Sequence, residues 1–400
     1  MPVQDHRVHA NAVIDGCPEP LEEQRASRVI PKLDLSRPSG RMVCIDALRG
    51  FDMFLIIGTD DVLRALAANS HHRFLQVVGN QFEHVAWSGC HLYDLIFPVF
   101  LFIIGASIPF SLSKRMQRGD SKASIYAHIF RRVAVLILLG MIINGNLLSW
   151  NIHRFTASYS VLMVLALGYM VASLLLLNLG LRGQIIATLA LLVGYWALMD
   201  YVPVPGHIVG VYLPGRNLGD WLNNFALGRL QGPWHNGWIL QSMTNGATAM
   251  LGVFAAHLLR SKIRQNQKLL WLIALGVTCL VAGGVWSFWF PIIKNRWTST
   301  YVLWAGGWSY LALAVFYWII DIRGFRKWAF PFVVVGMNAI VAYMAWGVFA
   351  RSFRMMADRL VGGLAQYMGG WYDALGWFVA MSILWLALYG LYRTRTFIRI

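Results

Sequence analysis

An all-α, polytopic integral membrane protein is the fold class this sequence predicts, and three observations lead to it. The 400 residues are 58% hydrophobic and only 13% charged, with a mean hydropathy of +0.54, well beyond the composition of a soluble domain. The apolar residues come in runs of about 18 to 22, long enough for a helix to cross a hydrocarbon layer of ~30 Å. The runs do not alternate apolar with polar over ten residues, as the strands of a membrane barrel would. Helices therefore solve the problem of pairing every backbone group inside lipid.

Taken in order, residues 1–40 are polar and contain no apolar h-region, so they read as a flexible cytoplasmic tail and not as a signal peptide. Cys17 after Gly16 does not make a lipoprotein site without such a region. Residues 41–400 read as one transmembrane domain with about ten spans, centred on Phe54, Phe102, Leu138, Leu167, Leu191, Leu251, Val281, Ala312, Ala342 and Leu386. An even number puts both termini on one side. The alternate loops that include the termini hold 24 of the Lys and Arg residues and the opposite loops hold 10, which predicts cytoplasmic N- and C-termini. The net charge of +16 is spread through these short clusters, so it points to anionic lipid headgroups and phosphorylated cofactors as partners and not to nucleic acid. The longest outer loop, about 200–236, carries Pro203, Pro205 and Pro214 with Trp221 and Trp234, and Trp238 follows. Rings of this kind mark the lipid interface or stack on sugar faces. Of the four cysteines, Cys90 alone faces outward, so no disulfide is expected. No His or Cys spacing reads as a metal site, and the two halves show no internal repeat.

One stretch concentrates titratable groups at the mouth of an apolar run. In Gln81–Leu112, His84, His91 and Asp94 precede an uncharged segment from Leu95 to Leu112. A carboxylate at membrane depth is a functional candidate by default; the alternative is that Asp94 caps the start of its helix. His91, three residues before Asp94, would share its helix face. His84 is ten residues away and would lie ~15 Å from Asp94 on a continuous helix. Contact between the two requires a turn, which Ser88-Gly89 permits.

Four stretches together resemble the heparan-alpha-glucosaminide N-acetyltransferase family, including its bacterial members of formerly unknown function. They are Ile45–Asp60 (IDALRGFDMFLIIGTD), His84–Leu112, Lys294–Leu303 (KNRWTSTYVL) and Pro331–Trp346 (PFVVVGMNAIVAYMAW). The most specific pattern is filled by His84, Trp87, Gly89, Asp94, Leu95, Phe97 and Pro98. Two departures stand out: Asp60, followed by Asp61, occupies the place of an Asn in members with heparan activity, and only His153 and Arg154 remain ionisable where the family has an arginine-rich segment.

The resemblance implies transfer of an acetyl group from cytosolic acetyl-CoA, as co-substrate and without a metal, to the amine of a glucosamine-type sugar on the periplasmic side of a bacterial inner membrane. It makes His84 the active-site histidine, as general base or as acetyl carrier, with Asp94 beside it in the catalytic set. For the acceptor, Asp60 and Asp61 are candidates to bind an ammonium, Trp87 and His91 lie in the same outer stretch, and Lys294 and Asn295 could stabilise an oxyanion. For the CoA phosphates the candidates are Arg49, with Asp46 nearby, and the pair Arg131 and Arg132. The sequence also leaves room for a homodimer. A transporter of amino sugars or oligosaccharides, using the same polar cluster only to bind, fits the spans and loops equally well.

Overall fold

The computed structural model describes residues 42–157, 160–206, 210–231 and 239–397, and every regular element among them is helical. The tail expected at residues 1–40, with Cys17, and the rings of Trp234 and Trp238 lie outside the described residues. In chain order the α-helices of eight residues or more are α1 (Val43–Phe54), α2 (Asp60–Ala68), α3 (Arg73–Gln81), α4 (Leu92–Gln117), α5 (Lys122–Asn144), α6 (Val161–Asn178) and α7 (Leu181–Tyr201). They continue with α8 (Leu218–Leu227), α9 (Ser242–Arg260), α10 (Gln265–Trp286), α11 (Ser299–Tyr317), α12 (Phe330–Met337), α13 (Ala339–Val361) and α14 (Trp371–Arg393).

Among the described residues, seven helices are long and apolar enough to cross a membrane: α4, α5, α6, α7, α10, α11 with its extension to Ile322, and α14. The pair α12 and α13, bent by 69° at Asn338, makes an eighth if it is one span. These coincide with eight of the ten expected centres. The other two take different forms, and each has a physical reason. The segment centred on Phe54 is broken at Ile57 and Gly58, whose φ of +103° and whose packing against Trp346 leave no room for a side chain. The segment centred on Leu251 is α9, which buries Thr244, Asn245 and Thr248 along with its apolar residues. It is enclosed by neighbouring helices, so it need not be lipid-compatible on every face.

The centre of the bundle is α4 against α9. A Cβ on Gly105 of α4 would overlap the Ala249 carbonyl, and one on Gly252 of α9 would overlap the Phe102 carbonyl, so two small residues set the close approach of the backbones. Within its most apolar window α4 is 72% buried, whereas α10 is 17% buried and faces outward. Gly50 of α1 and Gly336 of α12 meet in the same manner, bringing both broken segments to one side of α4.

A proline inside α4, Pro98, exposes a carbonyl that the helix cannot satisfy. Pro98 has no N–H for the Asp94 carbonyl, and the Tyr301 hydroxyl of α11 supplies the missing donor at 2.6 Å. Pro109 sits one turn before Ser113, and the Pro109 carbonyl accepts from Ser113 at 2.6 Å and from Arg260 at 2.7 Å. The first of these bonds fixes the helix start that carries Asp94.

Candidate active site

Between the end of α3 and the start of α4 the chain makes a non-helical turn, Phe82–His91, with Gly89 at φ +109°. This turn folds back on the loop before α11: the Gly89 N–H donates to the Ile292 carbonyl at 2.9 Å. The fold-back brings His84 onto Asp94, with Nδ1 2.8 Å from Oδ1. Asp94 also caps its own helix, since Oδ2 accepts from the His91 N–H at 3.0 Å and from the Val85 N–H at 3.3 Å. The capping reading therefore holds for Oδ2, while Oδ1 is left to face His84 and Lys294.

Lys294 completes the cluster. Its Nζ lies 2.9 Å from Asp94 Oδ1 and 2.9 Å from His84 Nδ1. An ammonium offers only donors and a carboxylate only acceptors, so the triangle admits two arrangements. Either Nδ1–H donates to Asp94 and Nε2 keeps its lone pair, or Nδ1 accepts from Lys294 and Nε2 carries the proton. The Asp94 side chain is 1% exposed, Lys294 20% and His84 57%: the negative charge is enclosed while the imidazole remains reachable. His84 Nε2 has no hydrogen-bond partner among the described residues. The Tyr93 ring lies 4.7 Å from the imidazole at a tilt of 39°, and its hydroxyl donates to Asp60 Oδ2 at 2.8 Å.

A cavity of about 150 Å³ opens at His84, Tyr93 and Lys294. Its walls are Met53 and Ile56 of the first segment, Ile96, Phe97 and Phe100 of α4, Val161, Leu162 and Leu165 of α6, and Ile340 and Tyr343 of α13. Both helix breaks thus border it, as irregular backbone at membrane depth does where it lines a cavity. The wall is apolar except at the His84 end and at Tyr343, so a sugar has few partners inside and would meet the imidazole from its exposed side.

The other sequence candidates fall in distinct places. The His91 ring does not bond Asp94; its Nδ1 lies 2.9 Å from the Glu83 carbonyl. Asp60 is buried between Tyr93 and Arg64, at 2.8 and 2.7 Å, and Asp61 pairs with Arg64 at 3.1 Å. Trp87 sits under the Arg296 guanidinium, 5.2 Å from its ring. Asn295 does not line the cavity, and its carbonyl accepts from Gln241 at 2.7 Å. Trp221 of the outer loop stacks on Phe225 at 5.5 Å. Arg49 of α1 bonds Asp46 at 3.3 Å and Ser107 at 2.5 Å. Arg131 is exposed on α5, and Arg132 lies over the Tyr169 ring at 4.4 Å. Among the described residues no three His, Cys, Asp or Glu side chains cluster as metal ligands would.

Sequence reasoning missed Arg296 and Asp220. Their side chains are 1% and 0% exposed and meet at 2.6 Å, an ion pair whose breakage by removal of one partner costs about 3–5 kcal/mol. The signal was present in KNRW, where a second cation follows Lys294 by two residues, but its partner lies 76 residues away.

The family profile described as "Domain of unknown function (DUF5009)" matches residues 41–167, from before α1 into α6. The heparan-alpha-glucosaminide N-acetyltransferase of Mus musculus is 26% identical over 378 residues, covering 79% of this chain and 54% of that protein. The Homo sapiens protein of the same name is 27% identical over 379 residues, covering 80% and 54%. The chain spans about half the length of these curated relatives. The resemblance carried by four short stretches thus extends over about four-fifths of the sequence: this chain is similar to the heparan-alpha-glucosaminide N-acetyltransferases of mouse and human.

Proposed function

We propose that this protein is a membrane-embedded acetyltransferase that moves an acetyl group from acetyl-CoA to the amine of a glucosamine-type sugar, with His84 at the reacting centre. The observation that carries this reading is the bond from His84 Nδ1 to the enclosed Asp94 carboxylate at the mouth of an apolar cavity. In the working arrangement Nδ1–H donates to Asp94, which holds the ring and leaves the Nε2 lone pair free. The acceptor amine attacks the thioester carbonyl, a C–N bond forms and the C–S bond breaks. Nε2 takes the proton the nitrogen sheds and returns it to the departing thiolate. In the second route Nε2 itself attacks the thioester carbonyl and the C–S bond breaks to release the thiolate; the amine then attacks the ring-bound acetyl group, the bond to Nε2 breaks, and the freed Nε2 takes the proton the nitrogen sheds. Lys294 balances the Asp94 charge in both.

The same reading has ten crossings, counting the broken first segment and α9, with both termini in the cytoplasm of a bacterium and the His84 turn on the periplasmic side. Donor and acceptor then approach from opposite faces, the thioester through the bundle toward the cavity and the sugar from outside. Arg49, oriented by Asp46, and the pair Arg131 and Arg132 remain the proposed contacts for the CoA phosphates. Asp60 and Asp61 remain those for the acceptor, with Asp60 also acting on His84 through Tyr93.

Purified protein incubated with radiolabelled acetyl-CoA and glucosamine should release labelled N-acetylglucosamine. If proteoliposomes instead take up glucosamine unmodified, the enzyme reading is replaced by transport. The rate should also have a defined alkaline limb. Burial holds the Lys294 ammonium below the usual lysine range, partly offset by Asp94. A lysine so shifted gives up its proton at lower pH than a free one, near ~10.4. The rate is therefore full while Lys294 is charged and falls as pH rises through its lowered value. Lys294→Arg keeps a charge at every working pH, so this limb should disappear from its pH–rate profile. An unchanged limb would remove Lys294 from the account.

A further inference from the structure

We infer that Arg296 is a positioning residue for His84, acting through Trp87, with the outer loop as its anchor; this rests on the acetyltransferase reading. The histidine turn is clasped to the loop before α11 at three points. One is the backbone bond from Gly89 to Ile292, one is Lys294 on Asp94 and His84, and the third is the guanidinium of Arg296 over the Trp87 ring at 5.2 Å. Trp87 is three residues beyond His84, so the ring it presents to Arg296 sets the lie of the turn.

Arg296 is in turn held from behind. Its NH1 donates to Asp220 at 2.6 Å, and its carbonyl accepts from the Tyr195 hydroxyl at 2.5 Å. Asp220 accepts at Oδ2 from the Gly215 N–H at 2.6 Å and from Asn217 Nδ2 at 2.9 Å. A cation held over an indole and fixed by a buried carboxylate has little freedom to slide. The long outer loop thereby reaches the imidazole, without touching it, through a chain of contacts that is buried at Asp220 and Arg296 and half-buried at Trp87.

Arg296→Lys separates positioning from stability, because a lysine keeps the charge for Asp220 and loses the planar surface over Trp87. Expected is a purified protein that melts within a few degrees of wild type, with kcat lowered about ten-fold and KM for acetyl-CoA and glucosamine unchanged. Trp87→Leu should lower kcat similarly, and the double variant should be no slower than either single one.

A second readout does not depend on catalysis. Cys90 lies in the same turn, half-buried, with its thiol pushed up to about 12 by burial first and by Asp94 second. Its reaction with a maleimide should be slow in wild type and several-fold faster in Arg296→Lys. Faster labelling without any acetyl transfer by wild type would uphold the clasp and sink the enzyme reading. Equal labelling rates, or an unchanged kcat where transfer is measured, would overturn the inference.

Discussion

Replacing His84 by Ala should lower kcat for acetyl transfer by on the order of 10²- to 10⁴-fold, the range a positioned general base contributes, while binding of acetyl-CoA stays close to wild type. The imidazole is 57% exposed and its ring contact is to Tyr93, so its loss opens space without exposing a core, and the variant should purify as wild type does. Removing it leaves Lys294 on Asp94 at 2.9 Å, so the buried carboxylate keeps a counter-charge. Added imidazole should restore part of the rate by entering the vacated place beside Asp94. A His84→Ala enzyme that transfers acetyl at the wild-type rate would assign the chemistry to another group.

Asp94→Asn should be as damaging to turnover for a different reason. The amide oxygen of Asn can still accept from the His91 and Val85 N–H groups that Asp94 Oδ2 now serves. Its NH₂ then faces His84 and Lys294, and the lysine, a donor only, loses its acceptor. The Nδ1 atom is forced to accept, the proton moves to Nε2, and the lone pair needed for chemistry is lost. Expected are a kcat reduction on the order of 10²- to 10⁴-fold and a stability loss of about 1–3 kcal/mol from the unsatisfied donors. Imidazole should give no rescue, since the fault lies in the partner of the ring and not in the ring itself. Rescue equal to that of His84→Ala, or wild-type turnover, would contradict the role given to Asp94.

Much of this arrangement is legible in the residues. Asp94 before an uncharged run marks a carboxylate at a membrane boundary, and Ser88-Gly89 marks where the chain can reverse. Pro98, four residues after Asp94, identifies a carbonyl in need of an outside donor. What cannot be read locally is what arrives from elsewhere. Lys294 reaches Asp94 across 200 residues, and Tyr301 reaches its carbonyl across 207. A hydropathy window counts residues along one helix, so it registers α9 as a span without seeing that its polar positions are enclosed by other helices. It likewise joins α1 to α2, because Ile57 and Gly58 are as apolar as their neighbours and the break lies in their dihedral angles. The Arg296–Asp220 pair is hidden for the same reason as Lys294: burial of a charge depends on its partner, and the partner is distant in sequence.

The sidedness of the reaction puts the central claim at most direct risk. Wild-type protein is reconstituted into sealed liposomes with radiolabelled acetyl-CoA on the face that carries the chain termini and glucosamine on the face that carries the His84 turn. Labelled N-acetylglucosamine should accumulate on the His84 side, with His84→Ala forming it on the order of 10²- to 10⁴-fold more slowly. Product formed only when donor and acceptor share one face, or formed equally by His84→Ala, would contradict it.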